Sequence, residues 1–333
     1  MTTSQAKVVR FHETGDASVL KIELEPLQTP GDDEVRLNVE AIGLNRAEVM
    51  FRNGAYLEQP QLPSKLGYEA AGVIDAVGKN VTAFKVGERV STIPGFSMSQ
   101  YGVYGESAVV PVYAVAKYPE NFNAQQGASI WMQYITAYGG LVDVGGLEKG
   151  QNVIITAASS SVGLAAIQIA KIIGANIIAT TRGDTKVQSL IDAGADHVIQ
   201  TDNENFVGRV LEITKGKGAE LIFDPIAGPF LELSAGAAAR GGKIIVYGAL
   251  DGRPTTFPLF AALGKGLAIH GYVLSEVTLD PQRLEKAKEF ILDGLETGGL
   301  VPVIDRVFKF EDIQKAHQYM ESNQQIGKIV VTV

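Results

Sequence analysis

The sequence predicts an α/β protein with a doubly wound parallel sheet and a second, β-rich domain. From about residue 127, apolar runs of strand length alternate with helical stretches, as expected for buried parallel strands joined by helical crossovers. The preceding part is rich in glycine and short β-type runs and lacks this alternation. The length of 333 residues also exceeds the usual size of one hydrophobic core.

The alternating part begins with an apolar strand at Asn152–Thr156 and a helix at Val162–Ile173, which ends before Gly174. The same alternation continues for about seventy residues. Further strands are predicted at Asn176–Thr180, His197–Gln200, Leu221–Asp224 and Lys243–Tyr247, with helices at Thr185–Ala193, Asn205–Thr214 and Phe230–Ala239.

The flanking segments have a mixed character. A short helix is predicted at Ala47–Asn53, and late helices carry Leu284 to Leu295 and Ile313–Met320. The closing strand Lys328–Val333 needs a sheet to complete, so we expect the chain to return to its first domain. The predicted segments are 1–126 (first part of the β-rich domain), 127–267 (doubly wound domain) and 268–333 (edge strand, then return).

The composition excludes several classes of protein. A net charge of −8 without a basic run argues against nucleic-acid binding. The absence of cysteine excludes disulfides, thiol catalysis and cysteine-containing metal sites. Neither a secretory signal nor a bilayer-spanning apolar stretch is apparent, so we expect a cytoplasmic protein that acts on a small molecule.

The turn after the first strand of the alternating part has the composition of a phosphate site. Small residues run from Ala158 to Gly163 and open a helix, where free backbone N–H groups and the helix dipole favour a pyrophosphate. Only Gly163 matches the three-glycine fingerprint, so helix–strand packing alone is the alternative. The strand–turn–helix context favours a Rossmann-type dinucleotide site that includes Ser159, Ser160, Ser161, Val162 and Gly163.

The end of the second strand indicates which dinucleotide binds. An acidic residue there would select NAD, but this chain has Thr181 and Arg182, followed by Lys186. Two cations suit a 2′-phosphate, so NADPH is the predicted cofactor; the alternative is that both are solvated residues at a helix start. Tyr247 and Gly248 complete the predicted cofactor-binding set.

Several stretches together carry a family resemblance that covers essentially the whole chain. They are Gly43–Glu48, Gly67–Gly72, Thr136–Tyr138, the turn Ala158–Gly163 with the helix start Leu164–Gln168, and the closing Gly327–Val331. The sequence resembles the zinc-free quinone oxidoreductase and enoyl reductase branch of the medium-chain dehydrogenase/reductase superfamily. The resemblance implies a GroES-like catalytic domain, a Rossmann domain, and a homodimer formed through the strand near Leu267–Val273.

The positions that hold zinc in other members of that superfamily carry different residues here. Tyr68 replaces a histidine, and Asn45 and Met132 stand at or beside cysteine positions. Phenol, amide and thioether groups do not replace imidazole and thiolates on zinc. The four histidines, His12, His197, His270 and His317, lack ligand spacing, so no metal is predicted.

Without a metal, the substrate must accept hydride readily, as quinones and activated alkenes do. Hydrogen-bond donors then stabilise the negative oxygen and a weak acid supplies the proton. The resemblance implies Asn45, Tyr56 and Tyr68 as catalytic residues, with Tyr56 as proton donor, and places Thr136 near the nicotinamide. For each tyrosine the alternative is a wall residue that only shapes the pocket.

The predicted function is NADPH-dependent reduction of a quinone, an enal or an enone, and the sequence does not decide among these substrates. A non-catalytic NADPH-binding redox sensor or crystallin-like protein is the alternative. Zinc-dependent alcohol oxidation is disfavoured by the missing ligands.

Overall fold

The computed structural model describes residues 4–333, which form two compact units. The first unit comprises residues 4–132 and Pro302–Val333, and the second comprises Gln133–Val301. The late helix that contains Ala287 therefore belongs to the second unit, where the ring of Phe290 lies 5.2 Å from that of Tyr138. An apolar helix face does not reveal in the sequence which unit it packs against.

The first unit begins with seven strands and three short helices. The strands are β1 Gln5–Arg10, β2 Lys21–Pro26, β3 Glu34–Gly43, β4 Glu69–Val77, β5 Arg89–Thr92, β6 Ser107–Pro111 and β7 Val115–Ala116; the helices are α1 Arg46–Arg52, α2 Met98–Tyr101 and α3 Ala124–Gly127. Helix α1 matches the helix expected near Ala47–Asn53.

The second unit contains six strands and the helices between them. Helix α4, Trp131–Tyr138, leads into it. The strands are β8 Asn152–Ile155, β9 Asn176–Thr181, β10 His197–Gln200, β11 Ala219–Asp224, β12 Ala238–Val246 and β13 Ala268–Gly271; the helices are α5 Ser161–Ile173, α6 Val187–Asp192, α7 Phe206–Ile213, α8 Phe230–Ala237, α9 Leu259–Lys265, α10 Ser275–Thr278 and α11 Pro281–Glu296.

The six strands of the second unit form one parallel sheet in the order β10-β9-β8-β11-β12-β13. This is the doubly wound order of dinucleotide-binding folds, and it confirms the predicted fold class. Isoleucines from five neighbouring strands are fully buried in its core: Ile154, Ile178, Ile199, Ile222 and Ile244. The chain order reverses between β8 and β11, so ligands are expected at the carboxyl ends of these strands.

The end of the chain completes the sheet of the first unit. After β14, Ile304–Lys309, and α12, Ile313–Glu321, strand β15, Lys328–Thr332, pairs antiparallel with β3 and parallel with β14. The seven-stranded sheet has the order β14-β15-β3-β4-β5-β7, and β6 also pairs with β3. Strand β15 therefore lies in the sheet of the first unit.

None of the helices in residues 4–333 has the length and apolar character needed to cross a membrane.

Candidate functional site

A buried polar network in the first unit surrounds the start of α1. Asn45 is the N-cap residue, and its backbone N–H donates to Glu48 Oε2 over 2.6 Å. This carboxylate at the third helical position satisfies an N–H group that the helix itself cannot. Glu48 Oε1 also accepts from the backbone N–H of Tyr68 over 3.1 Å. The carboxylate of Glu48 therefore connects α1 to the residue that precedes β4.

The closing strand contributes a cation to the same network. Lys328, the first residue of β15, is fully buried; its Nζ donates to Asn45 Oδ1 over 2.6 Å and forms an ion pair with Glu69. Glu69 Oε1 accepts from the backbone N–H of Met132 over 2.9 Å. Sequence reasoning did not identify Lys328 as a site residue, although a lysine at the start of an apolar strand is a usable signal, because a buried cation needs a partner.

The side-chain amide of Asn45 is engaged inside this network. Its Nδ2 lies within hydrogen-bond distance of Gly43 O (3.3 Å), Glu48 Oε1 (3.2 Å) and Glu69 Oε2 (3.2 Å). Two N–H hydrogens are thus shared among three internal acceptors, while the amide oxygen accepts from Lys328. This geometry favours a positioning role for Asn45 over donation to a substrate.

The carboxylate of Glu48 is fully buried. Burial raises its pKa to about 7, against the opposing effects of Lys328, the amide of Asn45 and the backbone N–H of Tyr68. The network contains two carboxylates and one ammonium, so it is electrically neutral only when one carboxylate is protonated.

Tyr56 and Tyr68 belong to an aromatic cluster, which we define as Tyr56, Tyr68, Phe96 and Tyr101. Ring centroids are 6.5 Å apart for Tyr56 and Tyr68, 5.7 Å for Tyr68 and Phe96, and 6.1 Å for Phe96 and Tyr101. Tyr68 is 9% exposed and Tyr56 is half-buried. The two tyrosines that the sequence singled out are therefore neighbours.

Glycine before Tyr68 is required by the backbone. Gly67 has a φ of +105°, and a Cβ atom there would lie 2.1 Å from the ring of Tyr104. Any other residue would be strained and would displace that ring. The Gly67–Tyr68 pair therefore fixes where the Tyr68 side chain leaves the backbone.

The side chains of Tyr56 and Tyr68 also affect each other's ionisation. Burial is the largest cause and raises the pKa of both phenols, while their mutual hydrogen bonding lowers the pKa of Tyr56 and raises that of Tyr68. Both phenols consequently stay protonated at neutral pH, and Tyr56 is the more acidic of the two.

The vacated zinc positions carry a set of groups that suits a lysine better than a metal. Of the three positions, Asn45 contacts the ammonium of Lys328, which also pairs with Glu69, and Tyr68 and Met132 hold a phenol and a thioether. Across residues 4–333 the structure contains no group of three or more His, Cys, Asp or Glu side chains that could hold a metal ion.

In the second unit, the turn from β8 to α5 has the geometry of an anion site. Ser160 is the N-cap of α5, and its Oγ accepts from the backbone N–H of Gly163 over 3.0 Å. Ser161 and Val162 occupy the first turn, where N–H groups lack intrahelical acceptors. A Cβ atom at Gly163 would lie 2.5 Å from the carbonyl oxygen of Ala158. The one glycine retained from the fingerprint is therefore sterically required.

Two cations follow the neighbouring strand β9. Thr181 ends this strand, and Arg182 comes directly after it with an exposed side chain. Lys186 is half-buried, and its Nζ donates to Ser159 Oγ over 3.4 Å. This contact ties the cation to the phosphate turn, as the sequence-based NADPH prediction requires.

A buried carboxylate that sequence reasoning missed lies at the end of β11. Asp224 Oδ1 accepts from Thr156 Oγ1 over 2.5 Å and from the backbone N–H of Ile226 over 3.0 Å. Burial raises its pKa, and these hydrogen bonds oppose the shift. Its signal in the sequence is an acid that ends an apolar strand at the point where the sheet order reverses.

The remaining predicted cofactor residues all lie in the second unit. Tyr247 stacks on Phe223 with centroids 3.9 Å apart, and its buried hydroxyl lies beside Ser160. A Cβ atom at Gly248, the next residue, would lie 2.9 Å from Pro225 O. Thr136 is buried on α4. The Tyr247 hydroxyl thus lies close to the phosphate turn.

Comparison with known proteins agrees with this architecture. Residues 31–120 match the family model described as an alcohol dehydrogenase GroES-like domain, and residues 161–293 match that of a zinc-binding dehydrogenase. The chain is 31% identical to human quinone oxidoreductase over 340 aligned residues, which cover 99% of both chains.

Solved structures match equally completely. The crystal structure of Escherichia coli quinone oxidoreductase complexed with NADPH has a TM-score of 0.91 at 28% identity, and the match covers 98% of this chain and 100% of that one. A crystal structure described as an NAD-dependent alcohol dehydrogenase has a TM-score of 0.90 at 31% identity, covering 98% and 99% of the two chains. With both units matched over their length and the zinc-ligand positions substituted, the chain belongs to the zinc-free quinone oxidoreductase branch of the medium-chain dehydrogenase/reductase superfamily.

Proposed function

We propose that the protein is an NADPH-dependent oxidoreductase that transfers hydride to a quinone or an α,β-unsaturated carbonyl compound without zinc. The observation that carries this proposal is the pair of protonated phenols, Tyr56 and Tyr68, next to the buried network in which Lys328 contacts Asn45 and Glu69. A neutral acid among side chains that are poor zinc ligands suits substrates that accept hydride without a Lewis acid.

The second unit supports NADPH as the cofactor. The first-turn N–H groups of Ser161 and Val162 would hold the pyrophosphate, because helix N-termini favour anions. Arg182 and Lys186 would hold the 2′-phosphate, since both follow the strand whose end faces the ribose in this fold. Tyr247, Gly248, Thr181 and Thr136 complete the proposed cofactor contacts. When bound, NADPH supplies the hydride.

The first unit supplies the proton. A quinone or enone that has accepted hydride carries a negative charge on oxygen or on the α-carbon, and one proton completes its reduction. The phenol of Tyr56 is proposed to donate that proton. The hydrogen bonding with Tyr68, which lowers the pKa of Tyr56, is proposed to stabilise the phenolate that donation leaves behind. Asn45 is proposed to act as a positioning residue through Glu48, which holds the backbone of Tyr68.

The proposed assembly is a cytoplasmic homodimer. Strand β13 is an edge of the six-stranded sheet, and exposed apolar side chains lie near it in the chain. Phe260 is 87% exposed, Leu263 71% and Phe257 57%. Large exposed apolar groups beside a free sheet edge are typical of a surface that another chain covers. A second copy of this chain is the proposed occupant.

Purified protein should oxidise NADPH when given quinones, enals or enones, and a chelator should leave that turnover unchanged. The Lys328 ammonium and the substituted ligands leave little affinity for zinc. The test is an NADPH consumption assay over the substrate panel, with elemental analysis of the same sample. NADPH binding without turnover would identify a non-catalytic sensor or crystallin-like protein. Near-stoichiometric zinc that is lost together with activity would overturn the zinc-free mechanism.

Arg182→Ala should weaken NADPH binding by roughly ten-fold or more and leave NADH binding nearly unchanged. Losing one charge-assisted contact to a phosphate costs on the order of 1–3 kcal/mol. Dissociation constants of both cofactors measure the effect. Arg209→Ala, which removes an exposed arginine paired with Glu212 on α7, is the matched control. Equal losses for the two cofactors would give Arg182 a structural role instead.

Tyr56→Phe should lower kcat by ~10²-fold, because it removes only the donating hydroxyl. The loss should be larger for enones than for quinones, while the Kd for NADPH stays the same. Tyr113→Phe is the control, since it removes the hydroxyl of an exposed tyrosine that donates to Gly95 O over 3.2 Å. Parental rates on every substrate would rule out Tyr56 as the proton donor.

Phe260→Glu should convert the dimer to a monomer, because it places a charge within the apolar surface proposed to be covered. Light scattering coupled to size-exclusion chromatography gives the mass directly. Leu24→Glu, at a 64% exposed leucine in the first unit, is the control and should keep the parental mass. A parent protein that is monomeric at high concentration would exclude the homodimer.

A further inference from the structure

The segment that carries Tyr56 has no regular secondary structure of its own. Residues 53–63, which we call the tyrosine loop, contain neither helix nor strand. They connect the end of α1 to Ser64, which forms an isolated β-bridge with Phe11. Within it, Leu57 is 79% exposed. A loop of this kind needs anchors from elsewhere to hold one side chain in a fixed place.

Glu58 supplies such an anchor. Its Oε1 accepts from Ser97 Oγ over 2.5 Å and from the backbone N–H of Ser99 over 3.3 Å, and its Oε2 accepts from the backbone N–H of Met98 over 3.1 Å. A second tie runs from the backbone N–H of Gln61 to Ser99 Oγ over 3.2 Å. The tyrosine loop is thereby fastened to the segment 97–99.

That segment also supports the other tyrosine. Phe96 precedes it and packs against the ring of Tyr68, with centroids 5.7 Å apart, and Tyr68 in turn contacts Tyr56. The contacts form a closed circuit from Tyr56 to Tyr68, Phe96, the 97–99 segment and Glu58, which lies two residues from Tyr56. Release of Glu58 would open this circuit and leave the loop tied to the 97–99 segment through Gln61.

The carboxylate of Glu58 also acts on the two phenols through its charge. It raises the pKa of Tyr56 and of Tyr68, because a phenolate is disfavoured near a negative group. Burial is the larger cause for both residues. The other groups that act on Tyr56 are the carboxylate of Glu48 and the hydroxyl of Tyr68.

We propose that Glu58 is a positioning residue for Tyr56: it clamps the tyrosine loop to the 97–99 segment and so holds the Tyr56 ring against that of Tyr68. The part of this proposal that concerns the reaction rests on the proposed function. If Glu58 instead only capped the short helix α2, neither the position of the Tyr56 ring nor the kinetics would depend on it.

The first test needs no turnover. With 3-fluorotyrosine incorporated at position 56, the ¹⁹F resonance reports both the position and the ionisation of that ring. Glu58→Gln, which keeps an acceptor oxygen but removes the charge, should lower the pKa of the labelled phenol. Glu58→Ala should in addition broaden or split the resonance as the loop is released. Glu88→Gln is the control, since Glu88 accepts from the backbone N–H of Lys85 on another loop and should change neither property.

The second test is kinetic and asks whether Glu58 acts through Tyr56. Glu58→Ala should lower kcat by about ten-fold with the Kd of NADPH unchanged, as expected when a reacting group is displaced by a fraction of an ångström. In a Tyr56→Phe background the same change should cost nothing further, because its effect passes through the missing hydroxyl. An equal loss in both backgrounds would overturn the proposal.

The two tests separate this inference from the proposed function. A parent protein without turnover would rule out the proposed function. The ¹⁹F titration would still decide whether Glu58 positions Tyr56. An unchanged resonance and titration in Glu58→Gln and Glu58→Ala would overturn the clamp even if the enzyme is active. Glu58→Gln preserves most of the contacts, so it serves where Glu58→Ala fails to fold.

Discussion

The buried ion pair between Lys328 and Glu69 is the constraint on which the arrangement of the first unit depends. Neither group has access to water, and a buried charge left alone is very costly. Removing one partner of such a pair typically costs ~3–5 kcal/mol. Lys328 is therefore stable only when β15 lies beside β3, and Glu69 only when β4 begins where it does. The ammonium of Lys328 therefore holds β15 in one arrangement with β3 and β4.

The same pair places an ammonium among oxygen acceptors of the kind that also bind metal ions. A carboxylate and an amide oxygen face one positive charge, as they could face a cation, but a lysine is covalently part of the chain and has three donors to satisfy. Glu48 extends the network to the backbone of Tyr68. The charge balance of the interior is thus linked to the position of the phenols, which is where proton donation is proposed.

The second unit presents polar backbone groups at the end of a largely apolar parallel sheet. Ser160 caps α5, Asp224 gathers the side chain of Thr156 and the N–H of Ile226, and Tyr247 fills the space beside them. These groups come from three neighbouring strands whose order reverses at this point. Local capping and a buried carboxylate therefore replace the flexible glycines that the fingerprint would normally contain.

The sequence by itself determined the alternation of strands and helices, the parallel sheet and the place of the phosphate turn, because these follow from local hydrophobic period and turn composition. It also indicated Tyr56, Tyr68 and Arg182, though only through position in a motif or a family pattern. Tertiary structure alone decided that Lys328 joins Asn45 and Glu69, that the amide of Asn45 is consumed internally, and that Glu58 reaches the 97–99 segment. Each of these contacts joins residues far apart in the chain or uses hydrogen-bonding capacity that has no local signature. Periodicity reports which face of an element is buried, whereas the partner that a buried polar group finds is set by how the elements pack.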